Sequence, residues 1–224
     1  MFDQFLITDQ QQPETSTQRL NDIMNLFEID PKTQLPSLWI FGYGSLIWNP
    51  GFEHSEVRKA VAVGYARRFW HGNTFHRGTK ERPGRVVTIT EQADSTVAGL
   101  IFRVRGVNQI QAALKHLQYR EIENGYNYET LSVQVDIGHR ISIDRHVLTC
   151  VARAHNDDYV GPQDDVSLAK QIAVAKGQAG RNADYLLKLA ESTRQLFPDF
   201  HDQHLYTLEL LVKERLRTDN VLKE

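Results

Sequence analysis

Residues 38–51 read "LWIFGYGSLIWNPG". Leu38-Trp39-Ile40-Phe41 is a short unbroken apolar run, the pattern of a strand buried on both faces. The chain leaves it through Gly42-Tyr43-Gly44-Ser45 and returns at once to apolar Leu46-Ile47-Trp48. A dinucleotide fingerprint needs a third glycine and a helix to follow. Ile47 stands where that glycine belongs, and Asn49-Pro50-Gly51 follows instead of a helix. A phosphate loop would need Gly-Lys-Ser/Thr, and a nucleophile elbow needs serine between two glycines. Here both glycines precede Ser45. Two readings stay open on shape alone: a structural turn, or a backbone concavity for a small anion.

The same kind of run recurs downstream. "KAVAVGYARRFW", "RVVTIT", "VAGLIFRV", "YETLSVQVDI" and "HVLTCVA" are rich in Val, Ile, Thr and aromatics and are separated by turn signals. One helix interrupts them, with Val107, Ile110, Ala113, Leu114 and Leu117 on one face. After Pro162 the pattern turns helical. The expected faces are Val166/Ala169/Ile172/Ala173, Tyr185/Leu186/Leu189/Ala190 and Leu205/Leu208/Leu211/Val212/Leu216. Gly177, Gly180 and Pro198 divide them. This is not the strand–helix alternation of a doubly wound sheet. The expected fold is α+β: a curved or closed sheet with helices packed outside it and a C-terminal helical segment.

The organisation expected is an N-terminal extension over residues 1–37, one domain over 38–217 and a tail over 218–224. Leu20, Ile23, Met24 and Phe27 predict a short helix in the extension, packed on the domain surface. The 26 basic and 28 acidic residues leave a net charge of -2, too even for a general nucleic-acid or membrane field. Cys150 is the sole cysteine, so no internal disulfide forms. No leader-like or membrane-spanning run is evident, and a cytoplasmic protein is expected.

Three further patterns bear on chemistry. In "RRFWHGNTFHRGTKERPGRVVTI", residues 67–89, arginines interleave with aromatics. That suits single strands of nucleic acid, a wall for an anionic small molecule, or internal ion pairs; the overall charge disfavours the first. His71 and His76 lack the partners of a metal site, so no metal is expected. A triad with Ser45 would need one of His71, His76, His139, His146 or His155, and spacing selects none. In "YREIENGYNYE", residues 119–129, a glutamate at a helix end could serve as a general base over a pocket. Spacing does not separate Glu121 from Glu123, though Arg120 is placed to orient Glu121.

Taken in order, "FGYGSLIW", "RRFW-G-T-HRG", "PGRVVT", "YRE…GY", "YVGP" and "GRNADYL" resemble the ChaC-type γ-glutamylcyclotransferases from about Leu38 to Leu216. The resemblance implies a small mixed β-barrel with flanking helices. It implies cleavage of glutathione to 5-oxoproline and cysteinylglycine without cofactor or metal, with Glu121 as the acid/base. The Tyr43-Gly44-Ser45-Leu46 loop would hold the γ-glutamyl group, with Ile40, Phe41 and Gly42 leading into it. Arg85 and Tyr159 complete the implied substrate-binding set. Arg77 and Arg85 would contact the glycine carboxylate of glutathione or pair with internal acids. The family usually shows Gly-Gly-Tyr after Arg-Glu, where this chain has Asn124-Gly125-Tyr126. Asn tolerates the left-handed conformation better than most residues, so the turn is expected to keep its shape. Alternatives are a cyclotransferase for other γ-glutamyl amino acids or amines, and a non-catalytic binding protein on this scaffold.

Overall fold

A computed structural model describes residues 23–136 and 142–221. Its frame is a sheet of five strands closed on itself. Strand β2 (Pro36–Gly42) is buried from Ser37 onward, as a strand with protein on both faces must be. It pairs antiparallel with β4 (Gly84–Arg105). β4 pairs with β3 (Glu56–Asn73), β3 with β5 (Asn127–Asp136), and β5 with β6 (Ser142–Val151), all antiparallel. Closure is parallel: β6 returns beside β2, with Ile40 opposite Leu148. The expected closed sheet is what forms.

The runs at 85–90 and 97–104 belong to one bent strand. Where β3 turns the corner, Gly64 alone stands between the paired residues Val63 and Tyr65. Opposite it, Gln92–Ser95 bulge between Glu91 and Thr96. Gly64 has φ 81° and Asp94 φ 58°, so the corner uses the left-handed region on both strands. Sequence marks of a turn thus become a bulge inside a strand.

Helix α1 (Val107–Arg120) runs from β4 towards β5 and buries Ile110, Ala113, Leu114 and Leu117. A second layer follows: α2 (Asp165–Val174), α3 (Asn182–Leu196) and α4 (Gln203–Val221). The α3 and α4 faces contain the expected apolar residues. On α2 the face is displaced. Leu168, Ala169 and Ile172 are buried while Val166 is exposed. The displacement follows from the helix start, where Asp164 accepts from Ser167 N–H at 2.9 Å and fixes the first turn. Between α2 and α3 lies a small hairpin of β7 (Lys176–Gly177) and β8 (Gly180–Arg181).

At the other end of the chain, β1 (Glu28–Ile29) extends the sheet beside β2. Asp30 then bridges Arg103 at 3.1 Å and Arg105 at 2.9 Å. Residues 23–25 are helical, and Ile23 and Leu26 are buried in the core. Leu20 of the expected N-terminal helix, and His139, lie outside the described residues.

Candidate active site

β2 delivers the chain to the mouth of the barrel, and the glycines decide how it leaves. Neither Gly42 nor Gly44 has positive φ; close approach is what requires them. A Cβ on Gly42 would lie 2.6 Å from Leu46 Cβ. One on Gly44 would lie 2.9 Å from Val87 Cγ2 and 3.3 Å from the Tyr185 hydroxyl. The chain then makes one short 3₁₀ turn, Ser45–Ile47. Its own bonds run from Ile47 N to Gly44 O and from Trp48 N to Ser45 O. The first N–H groups of such a turn have no acceptor within it. Those of Ser45 and Leu46 are therefore donors offered beside the cavity that both residues line.

Facing this turn is the end of α1. Glu121 caps the helix, and residues Ile122–Asn124 follow as a 3₁₀ turn. Gly125 closes it in the left-handed conformation, with φ 86° and ψ 11°. Asn124 therefore does not supply the left-handed residue. Its amide instead donates to Arg120 O at 3.0 Å, and its carbonyl accepts from His71 Nε2 at 2.8 Å. Asn156 donates to Gly125 O. These bonds fix the chain on either side of Glu121.

Arg120 joins the two halves. Its Nε lies 3.0 Å from a Glu121 carboxylate oxygen. The guanidinium also donates to Ser45 Oγ at 2.7 Å and to Asn49 O at 2.6 Å. The Glu121 side chain is 14% exposed. Burial pushes its pKa above the ordinary carboxylate value, and the Arg120 charge opposes that without cancelling it. Glu123 is exposed and does not line the cavity, so the structure separates the two acids that spacing left equal.

The cavity between these elements has a volume of about 350 Å³, within the usual range for small-molecule sites. Of the candidate residues, Phe41, Tyr43, Gly44, Ser45, Leu46 and Glu121 line it. Tyr43 donates to Cys150 O at 2.6 Å and Tyr126 to Val87 O at 2.6 Å. Burial raises both phenols and the Cys150 thiol, so all three stay protonated and none is a ready nucleophile. Ser45 Oγ meets Arg120, and among the described residues no histidine bonds to it.

Other candidates lie elsewhere. Ile40 is fully buried at the barrel seam, and Gly42 is wedged behind the turn. Arg85 is held by Gln171 at 2.9 Å and Gln163 at 2.7 Å, and does not line the cavity. Its partners are amides rather than acids. Tyr159 bridges His71 at the sheet edge, also off the cavity wall. His71 is buried, whereas His76 is a wall residue, so the two do not act as a pair. Among the described residues no group of three or more His, Cys, Asp or Glu is placed to hold a metal ion.

Several wall residues escaped sequence reasoning: Asn73, His116, Thr149 and Tyr185. Asn73 and Tyr185 lie within ordered motifs, "RRFW-G-T-HRG" and "GRNADYL", but nothing local marks them as pocket-facing. Thr149 bonds Phe41 O at 3.0 Å, a contact only barrel closure creates.

The family model for ChaC-like protein matches residues 38–215. A Danio rerio glutathione-specific γ-glutamylcyclotransferase 1 is 44% identical over 184 residues, covering 81% of this chain and 91% of that protein. The Homo sapiens protein of the same name is 40% identical, covering 78% and 81%. A crystal structure of a yeast γ-glutamylcyclotransferase specific to glutathione superposes with TM-score 0.74 at 26% identity, covering 80% of this chain and 96% of that one.

Proposed function

Since the chain belongs to the ChaC-like family, we propose that it cleaves glutathione to 5-oxoproline and cysteinylglycine, with Glu121 carrying the protons. One observation bears most of the weight. Glu121 is the only carboxylate among the described residues lining the cavity, and Arg120 ties it to the glycine turn opposite. The names of the relatives support the substrate.

The chemistry needs no protein nucleophile. The α-amine of the γ-glutamyl group attacks its own γ-carbonyl carbon, a five-membered ring closes, and the bond to the cysteine nitrogen breaks. The attacking nitrogen begins as an ammonium and ends with one hydrogen. The leaving nitrogen begins as an amide and ends as an ammonium. Two protons therefore move from one nitrogen to the other, and no water is consumed. A partly buried carboxylate with a raised pKa is suited to take a proton from the amine and return it to the leaving group. The Ser45 and Leu46 N–H groups are donors for the substrate's α-carboxylate or for the developing oxyanion. Walls that fold the γ-glutamyl arm bring amine and carbonyl together, which is the proximity effect.

The test is product analysis with glutathione. Wild type releases 5-oxoproline and cysteinylglycine in equal amounts. Glu121→Gln keeps the shape but cannot accept the proton, and its turnover falls by about 10²- to 10⁴-fold. Near-normal turnover in that variant would remove Glu121 from the mechanism.

A further inference from the structure

The cavity has a second cation with no acid of its own. Arg77 lies on the loop between β3 and β4 and lines the wall with Asn73 and His76. Its partners are few: Nη1 donates to Arg181 O at 3.3 Å, and the guanidinium carbon lies 5.6 Å from the Tyr185 ring centroid. Among the described residues no carboxylate lies within ion-pairing distance of it. Arg120, by contrast, is neutralised by Glu121. Arg85 is committed to two glutamines outside the cavity.

The backbone that carries Arg77 is built rather than merely present. Arg77 N–H donates to Asn73 Oδ1 at 2.6 Å. The β7–β8 hairpin docks on the same loop, with Gln178 N to Phe75 O at 3.0 Å and Ala179 N to His76 O at 2.9 Å. Contact is so close that a Cβ on Gly177 would sit 2.4 Å from Phe75 O and 2.6 Å from Arg77 N. The hairpin thus buttresses the loop, and Ala179 completes the wall there. His76 beside it is held towards the neutral form by burial and by the two arginines, leaving Arg77 as the local charge.

Resting on the glutathione reading above, we propose that Arg77, with Asn73 and His76, is the subsite for the substrate's C-terminal carboxylate and selects a γ-glutamyl tripeptide acid. Glutathione carries a carboxylate at each end. The turn donors and Glu121 face the γ-glutamyl end. The other end of the molecule needs a cation, and Arg77 is the one that remains. A planar fork also suits a carboxylate better than an ammonium does.

Glutathione and its C-terminal amide, compared with each enzyme variant, test this. Wild type favours the acid over the amide about ten- to hundredfold in kcat/KM, expressed mainly in KM, as expected for a charged hydrogen-bonded pair. Arg77→Gln brings that ratio close to one, and Arg77→Lys restores part of it. The ratio is taken within one enzyme, so a partly unfolded preparation does not distort it. A wild-type ratio near one, or an unchanged ratio in Arg77→Gln, overturns the assignment. Failure of wild type to release 5-oxoproline from glutathione at all instead removes the reading on which it rests.

Discussion

At the residue scale the proposed mechanism turns on Glu121, whose environment sets a pH dependence. Burial disfavours the charged form and raises the pKa; Arg120 favours the charged form and lowers it. The balance lies above the ordinary glutamate value of about 4.3. A base must be ionised to act, so kcat/KM falls as pH drops through that raised value. Replacing Arg120 by Gln removes the opposing charge. Glu121 then holds its proton to higher pH, and the acid limb of the profile moves upward. The substrate's own ionisations are common to both enzymes, so the displacement reports Glu121. An acid limb that stays in place, or moves down, contradicts the pairing seen at 3.0 Å.

The helix end that carries Glu121 was legible in the sequence because its signals are local, though spacing alone left Glu121 and Glu123 equal. A helical face ends, an Arg-Glu pair follows, and a glycine turn comes next. Tyr43 to Leu46 were legible for the same reason. The bonds of the wall tyrosines were not. Tyr43 finds its acceptor at Cys150, 107 residues away, and Tyr126 finds Val87 39 residues away. Such contacts depend on which strands pair, and no spacing rule encodes that. Arg85 is the converse case. It sits among arginines in a promising motif, yet its strand turns it towards Gln163 and Gln171.

At the scale of elements, the helical layer is fastened to the barrel by a buried charge pair. Arg67 on β3 is fully buried and donates to Asp202 at 2.7 Å and to Ala98 O at 2.7 Å. The other Asp202 oxygen accepts from Leu205 N–H at 3.0 Å, capping the start of α4. One carboxylate therefore serves a helix cap and an interlayer bridge. Removing one partner of a buried pair typically costs about 3–5 kcal/mol, because the other charge is left stranded. Asp202→Ala also loses the cap, worth about 1 kcal/mol. Denaturant unfolding of Asp202→Ala is expected to show a loss at the upper end of that range. Arg67→Met, which removes the charge and keeps much of the volume, also strands Asp202 but retains its cap. A loss below about 1 kcal/mol in both would show that the layer is held by apolar packing alone. The sequence placed α3 and α4 and their faces well, since periodicity is local. Internal ion pairs were among its readings for these arginines, but it offered no way to foresee that Arg67 pairs with the helical layer.

For the whole molecule, the site and the barrel share one seam. Ile40 is fully buried and lies opposite Leu148, the pair that closes β2 onto β6. Two residues on, β2 ends at Gly42 and the turn begins. Phe41 O accepts from Thr149 across the same seam, and Cys150, next on β6, receives the Tyr43 hydroxyl. Barrel closure thus places the end of β2 from which the turn departs, and the glycines set its path from there. Loosening the seam is expected to reach the site even though Ile40 itself does not line the cavity. Ile40→Val removes one methylene and costs about 0.5–1.5 kcal/mol; Ile40→Ala leaves a cavity and costs about 2–5 kcal/mol. Both values are read from denaturant midpoints. The same series is expected to raise KM for glutathione in the same order at temperatures where each variant remains folded, because the turn donors shift with the strand that carries them. Loss of stability with KM unchanged would mean that the turn is positioned by Arg120 and the tyrosines independently of the seam.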